Sequence, residues 1–345
     1  MMRAPSFRYY RARNIKDAAA ALAGEGDAML LAGGTDLVPN MKRRQQTPAV
    51  VIGIRHLRAL RRMKNSGGLS IGACVSLTEL AESRKLKAQY TALARAAGSV
   101  ATVHLRNMGT LGGNLCLDTR CNYYNQNHEW RQAIGYCMKA PAGTNGHACA
   151  SPDGTSICWV ATSSPRCWAV SSTDTAPALI ALGAEVSLVS SAGERRLPLE
   201  QLYHNDGMAY LSKGRDEILT AVHLPGIGNR ESGIGELRST YWKLRRRGSF
   251  DFPVLGVAAA IRFGPDRVVE SARVVLGAVA SYPLLLEESA TLVGRPLSDE
   301  VIRAFAESVT RHARPMDNTD FELSWRKKVV KSYVADALRE LRDAR

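Results

Sequence analysis

Short apolar runs, segments of helical period and glycine-rich breaks alternate along the chain, which predicts a mixed α+β protein. Residues 16–24 carry a helical pattern closed by Gly24. Ala28 to Ala32 read as a buried strand that runs into Gly33-Gly34-Thr35-Asp36, and Ala49 to Ile54 read as a second strand after a polar connection. These pieces form a small α/β unit over residues 1–60. A third strand, Leu69 to Ala73, precedes helical patterning through 77–100 and a glycine-rich loop from Gly109 to Asn114. Between 118 and 168 the periodicity fades into an island rich in Cys, Asn, Gly, Pro, Ser and aromatic residues. Patterning resumes at Thr175 to Leu179 and at Ala184 to Val189. A glycine-rich break at 226–234 reads as a linker. Beyond it, Val254 to Ile261 and Ser271 to Leu276 are strand-like, and 298–313 and 320–343 are helical. The expected division is a domain at 1–226 in two subdomains (1–60 and 61–226), with 118–168 inserted, and a C-terminal α+β domain at 235–345. No internal repeat is present.

The 345 residues, 45% of them hydrophobic, are enough for more than one core. No run of 18 apolar residues occurs, so no membrane span is expected. The N-terminus lacks an apolar signal core, which predicts a cytoplasmic protein. The formal net charge of +14 gathers in part at Lys42-Arg43-Arg44, Arg245-Arg246-Arg247 and Arg326-Lys327-Lys328. No nucleic-acid module accompanies these clusters, so they read as solvated surface or as a face for an acidic partner, and no nucleic acid is expected. Seven cysteines are present, six of them between Cys116 and Cys167. An odd count without a leader argues against a disulfide framework and leaves metal binding or burial.

Glycine lets backbone N–H groups crowd around a phosphate with no side chain in the way. Gly33-Gly34-Thr35-Asp36 after a strand offers such a loop, and Gly112-Gly113-Asn114 offers another. Neither is the nicotinamide fingerprint G-x-G-x-x-G, and neither is a P-loop. Each alone is an ordinary tight turn. As a pair they point to a dinucleotide held between two lobes.

The order of these pieces resembles a known family. Leu30 to Leu37 is similar to the first FAD pyrophosphate loop of the flavoprotein subunits of xanthine and carbon monoxide dehydrogenases, and Arg106 to Asn114 to the second. Asp174-Thr175-Ala176-Pro177-Ala178-Leu179 resembles the segment that approaches the flavin, with Thr173 where serine is usual. Tyr241-Trp242-Lys243-Leu244, with Arg247 to Pro253 after it, resembles the block that opens the C-terminal lobe. The resemblance spans nearly the whole chain. It implies a two-part FAD-binding domain followed by a C-terminal α+β domain. The FAD contacts it implies are Leu30, Leu31, Ala32, Gly33, Gly34, Thr35, Asp36, Leu37, Thr110, Leu111, Gly112, Gly113 and Asn114, together with Asp174 and Lys243.

The island holds five cysteines from Cys121 to Cys167, where plain members of the family pass almost directly from the second loop to Asp174. Spacing alone fits buried thiols, a zinc site or an iron–sulfur cluster. Asn114 to Gln126 is similar to the flavoprotein subunits of 4-hydroxybenzoyl-CoA reductases, which carry an extra loop with a [4Fe–4S] cluster. That resemblance implies Cys121, Cys137, Cys158 and Cys167 as ligands. Cys149 lies in a stretch, Ala142 to Ser156, that is longer than in those relatives, and it stands as the alternative to Cys158. Cys116 is expected to pack near the flavin.

Other residues admit two readings each. Lys243 is a surface lysine or a flavin neighbour, and Asp174 is a helix cap or a ligand of the ribityl or ring portion. Tyr123 and Tyr124 pack the loop, or Tyr123 shields the flavin face between FAD and cluster. His104, His128 and His147 are packing or surface residues. The resemblance further implies a molybdenum-cofactor subunit and a [2Fe–2S] subunit in a hetero-oligomer, a dimer of heterotrimers, with ferredoxin rather than NADH as electron donor. No molybdenum or coenzyme A site is visible in this chain.

Overall fold

The computed structural model describes residues 3–65, 67–140, 157–227 and 235–344. Most of the linker expected at 226–234, together with His147 and Cys149, lies outside the described residues. Among the described residues no helix is long and apolar enough to cross a membrane.

The N-terminal lobe is a parallel three-stranded sheet in the order β1-β3-β2, from β1 (Arg8–Arg11), β2 (Ala28–Leu31) and β3 (Val50–Gly53). Its crossover helix α1 (Ile15–Gly24) starts where Asn14 Oδ1 accepts from Asp17 N. Ala18, Ala19 and Leu22 of α1 bury against Val50 and Ile52. The strand β2 ends at the first glycine loop, and α2 (Leu37–Lys42) leaves from it.

The second lobe is an antiparallel sheet in the order β4-β5-β8-β6-β7. Its strands are β4 (Met63–Asn65), β5 (Gly68–Gly72), β6 (Glu185–Ser190), β7 (Gly193–Pro198) and β8 (Ile218–Pro225). The helical stretch at 77–100 is three helices rather than one: α3 (Leu77–Glu82), α4 (Arg84–Gln89) and α5 (Thr91–Ser99). Ser76 and Glu79 close a capping box at the start of α3. Ser83 makes the first break by ending α3 and capping α4, and the chain turns at Tyr90 (φ −130°, ψ 53°) between α4 and α5. The Gly109–Asn114 segment, expected as a loop, coils into α7 (Leu111–Leu115) after α6 (Val103–Met108), because Thr110 Oγ1 accepts from Gly113 N. Within the irregular island, Asn127 caps a short α8 (His128–Ala133). Helix α9 (Thr175–Ala181) is wholly buried.

The C-terminal lobe is a four-stranded antiparallel sheet in the order β12-β11-β10-β9, from β9 (Glu236–Leu244), β10 (Leu255–Phe263), β11 (Val269–Gly277) and β12 (Leu284–Leu286). Leu255, Val257, Ala259 and Ile261 of β10 pack under α10 (Asp299–Val309) and α11 (Leu323–Asp343). The alternate residues Ala258 and Ala260 pack into the core of the second lobe with α5 and α9. Side chains alternate across a strand, so β10 is buried on both faces, and that is why it reads as an unbroken apolar run. Small residues on one face let the second lobe pack closely against the sheet.

Candidate functional site

The two glycine loops meet. A Cβ on Gly33 would collide with the carbonyl oxygen of Met108 just before the second loop, so only glycine fits. Gly34 has φ +73°, the left-handed region glycine enters freely. Among the described residues the N–H groups of Gly33, Gly34, Thr35 and Asp36 have no acceptor. The second loop differs: Leu111 N donates to Val75 O, Gly112 N to Ala73 O and Gly113 N to Thr110 Oγ1. Its N–H groups are spent inside the protein. Its contribution is space, since a Cβ on Gly113 would meet only Thr110 Oγ1, at 3.0 Å.

Between the loops lies a cavity of about 970 Å³, at the upper end of ordinary small-molecule sites. Leu30 through Leu37, Thr110, Gly112, Gly113, Asn114 and Asp174 line it. So do Cys116, Asp118, Arg120, Cys121 and the 208–215 segment. Asn114 Oδ1 accepts from Thr173 Oγ1 (2.8 Å), Thr175 Oγ1 (2.7 Å) and Thr175 N (3.1 Å), tying α7 to α9. At the rim, Ala101 (φ 42°) and Phe250 (φ 62°) both stand in the left-handed region and bond to each other, Phe250 N to Ala101 O at 3.1 Å. This hydrogen bond links the C-terminal lobe to the turn after α5 and helps hold the two strained residues in place.

Three expected contacts lie off the cavity wall. Leu111 is fully buried in the second-lobe core. Lys243 sits behind Asp174 with all its donors used, on Asp174 Oδ2 (3.0 Å), Ser99 O (3.1 Å) and Asp251 O (2.9 Å). Tyr123 lines a separate cleft described below. Asp174 makes no side-chain cap on α9, because its carboxylate turns to Lys243 and to Tyr241 Oη, which donates at 2.8 Å. Burial raises the Asp174 carboxyl, against the opposing pull of Lys243.

Sequence reading missed a group of polar residues between this cavity and a second cleft. Arg120 donates to Asp36 of the first loop, and its guanidinium stacks 4.5 Å over the Phe252 ring. Lys139 Nζ stands 2.7 Å from Asp118 Oδ1, and Tyr124 Oη donates to Asp118 Oδ2 at 2.7 Å. Nothing in residue type or spacing signals these pairs.

The second cleft is lined by Cys121, Cys137, Cys158 and Cys167, with Tyr123, Tyr124, Lys139 and Trp159. All four cysteines are buried. Burial pushes the Cys121 thiol up to about 11 and the Cys167 thiol up to about 12, and raises Cys137 as well. Tyr123 lies between Trp130 and Trp159, at 6.5 and 6.4 Å between ring centroids. Among the described residues no three His, Cys, Asp or Glu side chains are disposed to hold one metal ion.

Comparison with known proteins identifies the family. Residues 5–227 match the model of the FAD-binding domain in molybdopterin dehydrogenase, and 239–341 that of the CO dehydrogenase flavoprotein C-terminal domain. The chain belongs to the FAD-binding subunits of the xanthine dehydrogenase and carbon monoxide dehydrogenase family. It is 30% identical to the aldehyde oxidoreductase FAD-binding subunit PaoB of Escherichia coli K12, over 96% of this chain and 98% of that subunit. It is 25% identical to the nicotine 6-hydroxylase medium subunit of Paenarthrobacter nicotinovorans, over 89% and 87%. Among solved structures, reconstituted CO dehydrogenase from Oligotropha carboxidovorans superposes with a TM-score of 0.75 at 24% identity, covering 99% of each chain. This flavoprotein subunit therefore binds FAD and is an oxidoreductase subunit of the molybdenum hydroxylase family.

Proposed function

We propose that this flavoprotein subunit carries a [4Fe–4S] cluster on Cys121, Cys137, Cys158 and Cys167 beside its FAD. It passes electrons from ferredoxin toward the molybdenum subunit of a 4-hydroxybenzoyl-CoA reductase, which removes the phenolic hydroxyl reductively. The observation that carries this reading is the meeting of four buried thiols on one cleft, with Cys121 also on the wall of the flavin cavity. Four thiolates are the usual complement of a [4Fe–4S] cluster. The Cys121, Cys137 and Cys167 thiols, held protonated by burial, would give up their protons to a bound metal centre.

When bound, FAD exchanges electrons in pairs or singly, and the cluster carries one at a time. The residues of this chain bind and orient. The open N–H groups of Gly33 to Asp36 are suited to the pyrophosphate, and Gly113 leaves room for it. Asp174, held by Lys243 and Tyr241, presents a fixed carboxylate to the cavity. Domains at 1–226 and 235–345, with the cluster loop at 118–168, complete the proposal. The partners are a molybdenum-cofactor subunit and a [2Fe–2S] subunit in a dimer of heterotrimers.

The test is turnover of the assembled enzyme. We expect 4-hydroxybenzoyl-CoA to be dehydroxylated with reduced ferredoxin, at a rate that falls as salt rises, because the chain carries a net charge of +14 and ferredoxins are acidic. Rapid flavin reduction by NADH contradicts the donor assignment. A second reading is a related hydroxylase for another aromatic or heterocyclic substrate. Likeness to a nicotine 6-hydroxylase subunit favours it, and oxidation of a heterocycle in place of the thioester would select it.

A further inference from the structure

The flavin cavity and the cysteine cleft share a wall. Cys121 is the one described residue that lines both. Beside it stands a buried ion pair that spans the wall: Lys139 is among the residues lining the cysteine cleft and Asp118 among those lining the flavin cavity. Their side chains are 6% and 7% exposed. Lys139 Nζ donates to Asp118 Oδ1 at 2.7 Å, and to Thr119 Oγ1 and Gly207 O at 2.6 Å each. All three ammonium donors are therefore used, and the charge is fixed in place. The other Asp118 oxygen accepts from Tyr124 Oη at 2.7 Å. The rings of Tyr124 and Tyr210 lie 4.8 and 5.2 Å from Nζ, which favours the cation further.

We infer that the Asp118–Lys139 pair is an electrostatic device that sets the potentials of the two redox sites in opposite directions. The inference rests on the cluster reading above. Buried charges are weakly screened, so each acts on what it faces. An electron added on the cysteine side brings negative charge next to the ammonium, which favours the reduced state and lifts the potential there. An electron added on the cavity side brings negative charge toward the carboxylate, which lowers the potential there. The pair thus moves the two potentials in opposite directions, the cluster up and the flavin down. The nearby Arg120–Asp36 pair is on the cavity side and is unchanged in the variants below.

The experiment uses the anaerobically purified full chain as wild type, Lys139→Arg, Lys139→Gln, and Lys139→Gln combined with Asp118→Asn. The double variant neutralises both charges and keeps hydrogen-bonding groups at both positions. Iron, acid-labile sulfide and flavin are assayed first, and midpoint potentials are then followed by paramagnetic resonance for the cluster and visible absorption for the flavin. We expect Lys139→Arg to keep both potentials near wild type. Lys139→Gln should move the cluster to more negative potential. In the double variant the cluster should fall and the flavin rise. A loaded double variant with an unchanged difference between the two potentials overturns the inference and leaves the cluster reading intact. A wild-type chain without iron and sulfide overturns both.

Discussion

A side chain at position 113 would meet Thr110 Oγ1 and then open space in the flavin cavity. Gly113→Val should therefore weaken FAD binding by at least about tenfold, which is about 1.4 kcal/mol, while the far-ultraviolet spectrum stays native. Full flavin retention after gel filtration would show that the second loop does not approach the cofactor. Lys243 poses the opposite case. Its ammonium and the Asp174 carboxylate are 4% and 3% exposed, and removing one partner of a buried pair costs roughly 3–5 kcal/mol. We expect Lys243→Met to lower the urea midpoint equally in FAD-free and FAD-loaded protein. Loss of flavin with unchanged apoprotein stability would instead make Lys243 a direct ligand. The glycines were legible because each loop is a contiguous string of small residues. The pairs Arg120–Asp36 and Lys139–Asp118 were not, because partners 84 and 21 positions apart meet only in the folded chain.

At the scale of elements, strands such as β10 were legible as apolar runs, whereas β1, with Arg8 and Arg11 at its ends and Tyr9 exposed, gave no such pattern. Short helices escaped for a different reason. Helices α7 and α8, with five and six residues, owe their existence to caps from Thr110 and Asn127 rather than to an apolar stripe. The segment around α8 buries few apolar side chains beyond the cysteines, Tyr124, Ala140 and Ala169. Metal binding supplies folding energy to such segments. Iron-free protein should therefore exchange amide hydrogens faster at 121–140 and 157–168, with β10 still protected. Equal protection in both forms would mean that the segment folds on its own contacts.

Over the whole molecule, three lobes enclose, among the described residues, a large cavity and a thiol-lined cleft that share Cys121. The fold and its flavin were legible because four motifs recur in the family's order. Which cysteines converge was implied by resemblance, and spacing alone left zinc, iron and plain burial open, since ligand distance is a tertiary property. The most direct test is iron and acid-labile sulfide per FAD in the anaerobically purified chain and its cysteine variants. The account predicts about four of each per flavin in the wild type. It predicts loss or destabilisation of the cluster in Cys121→Ser, Cys137→Ser, Cys158→Ser and Cys167→Ser, with FAD kept in at least some of them. Cys74→Ser and Cys149→Ser should match the wild type. Loss in Cys149→Ser with retention in Cys158→Ser would contradict the ligand set, and full retention in all four proposed ligand variants would remove the cluster from this loop.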